Sequence, residues 1–452
     1  MINLNKASQT INNFFNKTAE TVARATRFVQ RQSKMTGPLL LQTLVFGWSE
    51  NPRASLNDLA DVADDLGVEI TAQGLDERIH ERTVDFFKGQ FSQSIELLKN
   101  EIPLEVEILQ QFKAVELLDS TTIALPDSLQ EEYPGCGGDG PDSSLKAQLV
   151  FDWLDGNIKH LTFHAGKTPD QAYQEDIRKL SSGTLRITDL GYFKMERFAQ
   201  INSVGAYFLT RFNTQTAFFS LTGERIDLLE WLQQQNESIT DAEFLIGSRV
   251  KLRSRIVAVR LPQEVANRRR QKAIQKAKKK GYTPKARTLV LLSWAIFMTN
   301  VPVYMLNTQQ VIRLYPLRWQ IELIFKLWKS EFALNRVAGL RRERVLVELY
   351  AKLIAAVVIH FLQAPIRYTE KVELSLLKSA RPFRRRAICV AISLTSVFTL
   401  KAELKRVIRK MLRFGTKNKR KKTPSTLWIL AQELTSCEEE EPFALVHLAR
   451  KT

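Results

Sequence analysis

The segment LKAQLVFDWLDGNIKHLTFHA, residues 145–165, decides the fold class. Its first half alternates in hydrophobicity with the two-residue period of a half-buried β-strand. Asp155-Gly156 is a typical two-residue hairpin turn, and Ile158 to His164 is predicted to be the returning strand. The residues that share one face of the first strand are Ala147, Leu149, Phe151 and Trp153.

Strands and helices alternate on both sides of this hairpin. A β-rich run, FKAVELLDSTTIAL, precedes it and is predicted to end near Asp119. A helix over about Asp170 to Leu180, a short strand that stops at Asp189, a helix over about Lys194 to Asn202 and the strand GAYFLTRF follow it. The predicted elements are three strands, a helix, a strand, a helix and a strand. This order is typical of an α/β fold with a ribonuclease H-like mixed sheet.

The chain is predicted to contain five regions. They are a helical DNA-binding domain (1–105), the first part of the ribonuclease H-like core (106–212), a β-rich insertion (213–298), the second part of the core (299–365), and a basic, mainly helical C-terminal region (366–452). The 452 residues suffice for several domains with a large core.

Charge composition favours a polyanionic partner. The formal net charge is +18 and the sequence pI is about 9.7. Such an excess suits nucleic acid, although a basic protein can also simply be soluble. Double-stranded DNA is therefore the predicted partner, and no membrane is expected because the longest apolar runs are too short to cross a bilayer.

Cysteine and histidine usage points away from a disulfide scaffold or a zinc site. Cys136, Cys389 and Cys437 are too widely spaced for either, which fits a reducing cytoplasm. His160 and His164 form the closest histidine pair and are predicted to be structural. No secretory signal is evident, so we expect a cytoplasmic bacterial protein that associates with the nucleoid when it binds DNA.

Two segments are candidate DNA-binding elements. Ser55, Asp58, Gly67 and Thr71 supply the caps and turn of two short helices, which resemble a helix-turn-helix but are also typical of any helical bundle. The second segment, QEVANRRRQKAIQKAKKKG, carries no acid from residue 268 to 285. Because the positive charges along this helix repel each other and no acid neutralises them, contact with phosphates is favoured over a merely solvated helix face. Its candidate DNA-binding residues are Arg268, Arg269, Arg270, Lys278, Lys279 and Lys280.

Three acids stand where such a sheet exposes its strand ends. Asp119 and Asp189 close predicted strands, and Glu322 lies on a late helix. Each aspartate taken alone is more often a turn residue. Together, carboxylates from separate elements could hold two Mg²⁺ ions, with Mn²⁺ as an alternative, for phosphoryl transfer.

The late helix, YPLRWQIELIFKLWKS (315–330), places a charged row beside an apolar stripe. Arg318, Glu322, Lys326 and Lys329 fall at helical spacing. The apolar residues that should face the core are Leu314, Leu317, Ile321, Phe325, Trp328 and Phe332. The charged row is thus predicted to border a cleft.

These motifs resemble DDE transposases of the insertion-sequence-four type. Tyr315, Arg318, Glu322 and Lys329 match the pattern Y-x2-R-x3-E-x6-K, and DST at Asp119 and DLGYF at Asp189 resemble the family's first two acidic motifs. TNVP at 299–302 resembles the run before its helix. The likeness covers roughly residues 110 to 335. Pro316 departs from it and predicts that Tyr315 lies just before the helix.

The resemblance implies that Asp119, Asp189 and Glu322 are the catalytic metal ligands of a transposase. It implies that Tyr315, Arg318 and Lys329 contact DNA phosphates at the cleaved end, and a homodimer on DNA is expected. Some members stack a tryptophan on a flipped base, and Trp294 stands at a comparable place, although a core role is equally compatible with its strand position. The alternatives are an inactive DNA-binding protein, such as a decayed transposase or repressor, and a structure-specific nuclease on the same fold.

Overall fold

The computed structural model describes residues 3–31, 33–99, 106–173, 177–337, 339–369 and 373–417. The chain forms two compact units. The helical unit comprises Met1–Leu104, Ser120–Thr168 and Ile321–Lys419, and the sheet unit comprises Glu105–Asp119 and Pro169–Gln320. The part of the predicted C-terminal region from residue 418 onward lies outside the described residues.

The described residues contain nine strands. They are β1 (Ala114–Ala124), β2 (Ser144–Asp152), β3 (Asn157–Ala165), β4 (Thr184–Thr188), β5 (Tyr207–Arg211), β6 (Phe218–Phe219), β7 (Ile239–Ile246), β8 (Leu252–Arg260) and β9 (Trp294–Thr299).

The described residues also contain sixteen α-helices. They are α1 (Leu4–Asn13), α2 (Ala19–Ala25), α3 (Gly37–Glu50), α4 (Leu56–Asp65), α5 (Ala72–Glu77), α6 (Glu81–Leu97), α7 (Met195–Ser203), α8 (Leu228–Gln233), α9 (Gln263–Lys279), α10 (Ala286–Leu291), α11 (Thr308–Leu314), α12 (Trp319–Glu331), α13 (Arg342–Thr369), α14 (Leu376–Arg384), α15 (Ala387–Ser393) and α16 (Val397–Phe414). A π-helical turn, Phe14–Thr18, joins α1 to α2. The 3₁₀ helices are Glu107–Leu109, Asp127–Leu129, Asp170–Ala172, Ile177–Lys179, Leu190–Tyr192 and Tyr315–Arg318.

The strands form a mixed sheet in the order β3-β2-β1-β4-β5-β9-β8-β7-β6. β1, β4 and β5 are parallel, whereas β2–β3, β5–β9, β8–β9 and β7–β8 are antiparallel pairs. The predicted ribonuclease H-like α/β core is therefore confirmed, and β6 to β9 extend it. The predicted hairpin is also confirmed, but its loop is four residues (153–156) rather than two, because Asp152 pairs with Asn157; Gly156 lies in the left-handed region at φ 70°.

Two predicted boundaries are wrong. β1 continues past Asp119 to Ala124, because β-branched residues at 121–123 sustain the alternation of buried and exposed positions. The helix predicted over 170–180 is two separate 3₁₀ turns among the described residues. The apolar residues Tyr173, Ile177 and Leu180 have helical spacing and are buried, but short turns suffice to bury them.

The helical unit packs around aromatic residues of its N-terminal helices. The ring centroids of Phe14 and Phe15 lie 4.9 Å apart, and those of Phe15 and Phe46 lie 4.7 Å apart. The predicted caps are present here. Ser55 and Asp58 form a capping box at the start of α4, and the Thr71 hydroxyl accepts a hydrogen bond of 3.0 Å from the Gly74 amide at the start of α5.

α13 is long and apolar enough to cross a membrane by length and composition, with a mean hydropathy of 2.1 over an 18-residue window within Arg342–Ile366. However, 94% of the apolar window is buried inside the protein. The helix packs against α3 and α6 of the same unit. A buried core helix meets the same length and composition test, so α13 is no evidence for a membrane.

A fully buried ion pair on α13 holds the chain that follows α12. Lys352 Nζ lies 2.6 Å from Glu348 Oε1, and neither side chain is more than 1% exposed. The same ammonium donates to the carbonyls of Ala333 and Arg336 at 3.3 Å each. Ala333 is a non-glycine residue at φ 47°, so these bonds hold a strained turn at the end of α12.

We expect Lys352→Met to lower the free energy of unfolding by about 3–5 kcal/mol, because it leaves the Glu348 carboxylate buried without its ammonium partner. Urea unfolding followed by circular dichroism measures the change. The control is Glu348→Gln/Lys352→Met, which removes both charges and should recover a large part of the loss. A single variant as stable as the wild type would contradict this account.

Candidate active site

Two of the predicted acids lie side by side on neighbouring parallel strands. Leu117 of β1 is opposite Ile187 of β4, so Asp119 and Asp189, each two residues further on, are at the same level. Residues at matched positions of parallel strands point to the same face, and neighbouring strands are about 4.8 Å apart. The register therefore sets Asp119 and Asp189 at one level of neighbouring strands.

The Asp119 carboxylate carries a cationic partner. Arg318 Nη1 lies 2.8 Å from Asp119 Oδ2, and both side chains are 15% exposed. Arg318 ends the 3₁₀ turn Tyr315–Arg318, which α12 continues. The predicted helical row from Arg318 to Lys329 lies on the α-helix only from Trp319 onward, because Arg318 belongs to the 3₁₀ turn before α12. The prediction that Tyr315 lies before that helix is confirmed.

Asp189 ends β4 and caps the 3₁₀ helix Leu190–Tyr192. Its Oδ1 accepts a hydrogen bond of 2.8 Å from the Gly191 amide. A Cβ at Gly191 would lie 3.0 Å from Asp189 Oδ1 and 3.2 Å from Asp170 Oδ2. Glycine at 191 thus allows the backbone to approach two carboxylates closely, one of which, Asp170, sequence reasoning missed.

Tyr315 lies beside the same group of charges. Its ring centroid is 5.0 Å from that of Phe297 on β9, and the residue is 6% exposed. Burial raises the pKa of the Tyr315 hydroxyl to about 12, although the nearby guanidinium groups of Arg318 and Arg211 oppose the shift. The hydroxyl therefore stays protonated at neutral pH and can donate a hydrogen bond to a phosphate oxygen.

Arg211 is a site residue that sequence reasoning missed. It follows Thr210, which is opposite Thr188, so it stands level with Asp189 on the other side of β4 from Asp119. The positive charge of its guanidinium opposes the rise in the pKa of Tyr315 and contributes to lowering the pKa of Arg269. The strand-end argument that identified Asp189 could have found Arg211, because GAYFLTRF places it at the end of the next parallel strand.

Trp294, the first residue of β9, is packed into the core of the sheet unit. It is 6% exposed, and the guanidinium carbon of Arg260 lies 4.9 Å from its ring centroid. Its backbone carbonyl accepts a hydrogen bond of 3.2 Å from Arg269 Nη1. The base-stacking role of Trp294 stays a prediction.

The predicted basic helix is α9, and the structure divides its cations. Arg269 is 7% exposed, and burial together with Arg211 lowers its pKa to about 10. Arg270 Nε donates to the Leu289 carbonyl at 3.1 Å. Both residues therefore face inward. The predicted DNA-binding residues that remain exposed are Arg268, Lys278, Lys279 and Lys280.

α12 enters the helical unit at Ile321 and carries the remaining candidates, Glu322, Lys326 and Lys329. Lys326 is exposed, whereas Glu322 and Lys329 are partly buried. Burial lowers the pKa of the Lys329 ammonium. The six residues of the predicted apolar stripe are all buried, which confirms that prediction.

Two arginines of α14 fix the end of α12 within the helical unit. Arg381 Nε and Arg384 Nη1 lie 3.1 and 2.9 Å from the carboxylate oxygens of Glu331. Arg384 Nε also donates to the carbonyl of Ser49 at the end of α3. The helix that carries Glu322 and Lys329 is thereby held by ion pairs to the buried Glu331 carboxylate as well as by apolar contacts.

The carboxylates of the sheet unit fit a divalent cation. Among the described residues no group of three or more His, Cys, Asp and Glu side chains lies together as a candidate metal site. Mg²⁺ in phosphoryl-transfer sites takes only one or two carboxylates, with substrate phosphate and water. Asp119 and Asp189 supply that number at one level of the sheet, and Asp119 already binds the cationic Arg318.

The chain is similar in sequence to known transposases. Residues 110–358 match the family model described as Transposase DDE domain. The chain is 30% identical over 371 residues to the transposase for insertion sequence element IS1151 of Clostridium perfringens, covering 77% of this chain and 78% of that protein. It is 29% identical over 360 residues to the transposase for IS231F of Bacillus thuringiensis subsp. israelensis, covering 74% and 75%. A cryo-EM structure of the piggyBac transposase synaptic complex with hairpin DNA matches with a TM-score of 0.46 and 12% identity, covering 92% of this chain and 87% of that one.

Lys329 should titrate below the ordinary lysine range, because burial disfavours its charged form. Reductive ¹³C-methylation of the lysines and an NMR pH titration measure this. The resonance that disappears in Lys329→Arg identifies the residue, and the exposed lysines of the same sample serve as the reference. A Lys329 resonance that titrates with the exposed lysines would show that its ammonium is solvated.

Proposed function

Because this chain belongs to the DDE transposase family, we propose that its acids Asp119, Asp189 and Glu322 catalyse cleavage at the ends of a mobile element and strand transfer into target DNA. The observation that carries this assignment is the register of β1 and β4, which sets two carboxylates at one level with Arg318 on one of them. The enzyme is a DNA-cleaving and strand-transferring transposase. The assignment of individual residues is the proposal.

The family depends on divalent metal, and we propose Mg²⁺, held by Asp119 and Asp189 with Glu322 as the third ligand. When bound, the metal polarises the phosphate and lowers the pKa of the attacking water or hydroxyl. Hard oxygen ligands of this kind suit Mg²⁺, and Mn²⁺ is an alternative ion.

The other residues of the sheet unit bind and orient the phosphate. Arg318 and Arg211 present planar guanidinium groups, which suit bidentate contact with phosphate oxygens. The Tyr315 hydroxyl keeps its proton up to a pH of about 12, so it donates a hydrogen bond throughout the working range. Lys329, on α12 of the helical unit, is proposed to supply a further cation. The proposed contacts thus combine directional hydrogen bonds with neutralisation of the phosphate charge.

The proposed reaction has two in-line displacements at phosphorus. In the first, the oxygen of water forms a bond to phosphorus and the bond to the 3′ oxygen breaks, leaving a 3′-hydroxyl on the element. In the second, that hydroxyl attacks a target phosphodiester and one target oxygen leaves. No covalent intermediate with the protein is required.

DNA binding follows from the family. The kind of DNA, the oligomeric state on DNA and the place of activity are proposals. We propose duplex DNA of element ends and target as substrates, a homodimer on DNA that pairs two ends, and activity in the bacterial cytoplasm. The α4–α5 pair and α9 remain the candidate DNA-binding elements outside the site.

Two other functions give different products. A decayed transposase or repressor would bind the ends without nicking them in the presence of Mg²⁺. A structure-specific nuclease would nick donor DNA and never join it to a target. Incubation of a supercoiled donor plasmid with a labelled target, followed by electrophoresis, separates all three because joined donor–target product requires both displacements.

Asp119→Asn, Asp189→Asn and Glu322→Gln should each lower end cleavage by roughly 10³-fold or more, since losing a metal ligand removes several kcal/mol of transition-state stabilisation. Binding of element-end DNA should be largely retained. A nicking assay gives the rate, and Asp139→Asn in an exposed loop is the matched control. Cleavage at the wild-type rate by any one variant would remove that residue from the site.

Arg318→Ala should weaken end binding and reduce the slope of log K against log salt by about 0.9, the contribution of one phosphate on duplex DNA. Fluorescence anisotropy over a series of salt concentrations measures the slope. Arg225→Ala removes the same charge from an exposed position of the sheet unit and should leave the slope near the wild-type value. Equal slopes for Arg318→Ala and the wild type would exclude a direct phosphate contact.

A further inference from the structure

α9 carries a stripe of four exposed cations. Arg268, Lys272, Lys276 and Lys279 are spaced at four, four and three residues. At about 100° per residue they fall within an arc of about 80°, and they span about 16 Å along the helix. We define these four residues as the cation stripe.

The stripe is mounted on a fixed helix. Arg269 donates to the Trp294 carbonyl, and Arg270 donates to the Leu289 carbonyl and to Asn267 Oδ1 at 2.9 Å. Ala266 and Ala277 are buried on the same inward side. Two of the three consecutive arginines therefore anchor α9, and the outward cations are held in a defined geometry.

The charge of the stripe is scarcely neutralised within the protein. Among the described residues, the stripe forms an ion pair through Arg268, whose Nη2 lies 3.9 Å from Glu264 Oε2, and both side chains are mostly exposed. Like charges at i and i+4 destabilise a helix. A row of this kind is electrostatically complementary to a row of phosphates, which would relieve the repulsion.

α9 begins near the catalytic edge of the sheet unit. On β9, Trp294 is opposite Arg260 at the end of β8, and Phe297 is opposite Arg211 at the end of β5. Because β5 and β9 are antiparallel, Trp294 lies beyond Arg211 on the edge where Asp119 and Asp189 stand. The two residues that connect β8 to α9 therefore start the helix at this edge.

We propose that the cation stripe binds the phosphate backbone of target DNA during strand transfer; this rests on the proposed function. Three of its four members are lysines, which act as point charges on phosphate oxygens. Phosphate contacts carry no sequence information, so they suit a target of arbitrary sequence, whereas element ends must be distinguished by base contacts. Successive cations are spaced by about 4.5 to 6 Å along the helix axis, so the stripe can contact more than one phosphate.

The test compares two double variants of the full-length protein with equal charge changes. Lys272→Gln/Lys276→Gln alters the stripe, and Lys179→Gln/Lys285→Gln alters exposed lysines of the same unit outside it. Joining of pre-cleaved element-end duplex to a plasmid target is measured over a series of salt concentrations, together with cleavage of uncut ends. The stripe variant should lower joining about tenfold near physiological salt and reduce its salt slope by about 1.8, two phosphates' worth. End cleavage should fall several-fold less.

The outcomes separate this proposal from the proposed function. Joining by the wild-type protein establishes the strand-transfer activity, and the variants then decide the role of the stripe. Equal losses in the two double variants would reduce the effect to net charge and overturn the proposal. Equal losses of joining and of end cleavage in the stripe variant would also overturn it, because they would assign the stripe to the element end.

Discussion

Parallel pairing between β1 and β4 is the constraint on which the site depends. Hydrogen bonds fix the register from Ala114 opposite Thr184 to Leu117 opposite Ile187, and this register sets Asp119 level with Asp189. A slip of one residue would turn one carboxylate to the opposite face of the sheet. The third parallel strand extends the same level to Arg211. The backbone, before any side chain is considered, therefore aligns two acids and a cation along one edge.

This alignment explains how a site can attract both metal cations and phosphate anions. Two carboxylates alone would repel DNA, and a group of arginines alone would repel a metal ion. Here Arg318 is paired with Asp119, and Arg211 stands beside Asp189 with the Tyr315 hydroxyl near both guanidinium groups. Opposite charges at short range reduce the cost of bringing either ligand to the edge.

Local sequence patterns were sufficient for the elements but not for their exact ends or for pairing across the sheet. Alternation identified the hairpin at Asp155-Gly156, and strand ends identified Asp189, because both signals act within a few residues. β1 passes Asp119 since residues 121–123 are β-branched, and the 3₁₀ turns between 170 and 179 mimic helical spacing. Arg211 stands at the end of the next predicted strand, so the same strand-end argument could have identified it, and the register between strands then sets it level with Asp189. The charged row of the late helix identified Glu322, and motif resemblance added Tyr315.

The three consecutive arginines 268–270 show why charge composition alone cannot assign DNA contacts. Each step along an α-helix turns the side chain by about 100°, so neighbours in a basic run cannot all face one ligand. Arg268 is exposed, Arg269 is buried against β9, and Arg270 bonds the chain near α10. A buried guanidinium stabilises the helix through carbonyl contacts, while its exposed neighbours keep their charge available. The same run therefore supplies both the anchor of α9 and the surface that it presents, and only the helical phase separates the two roles.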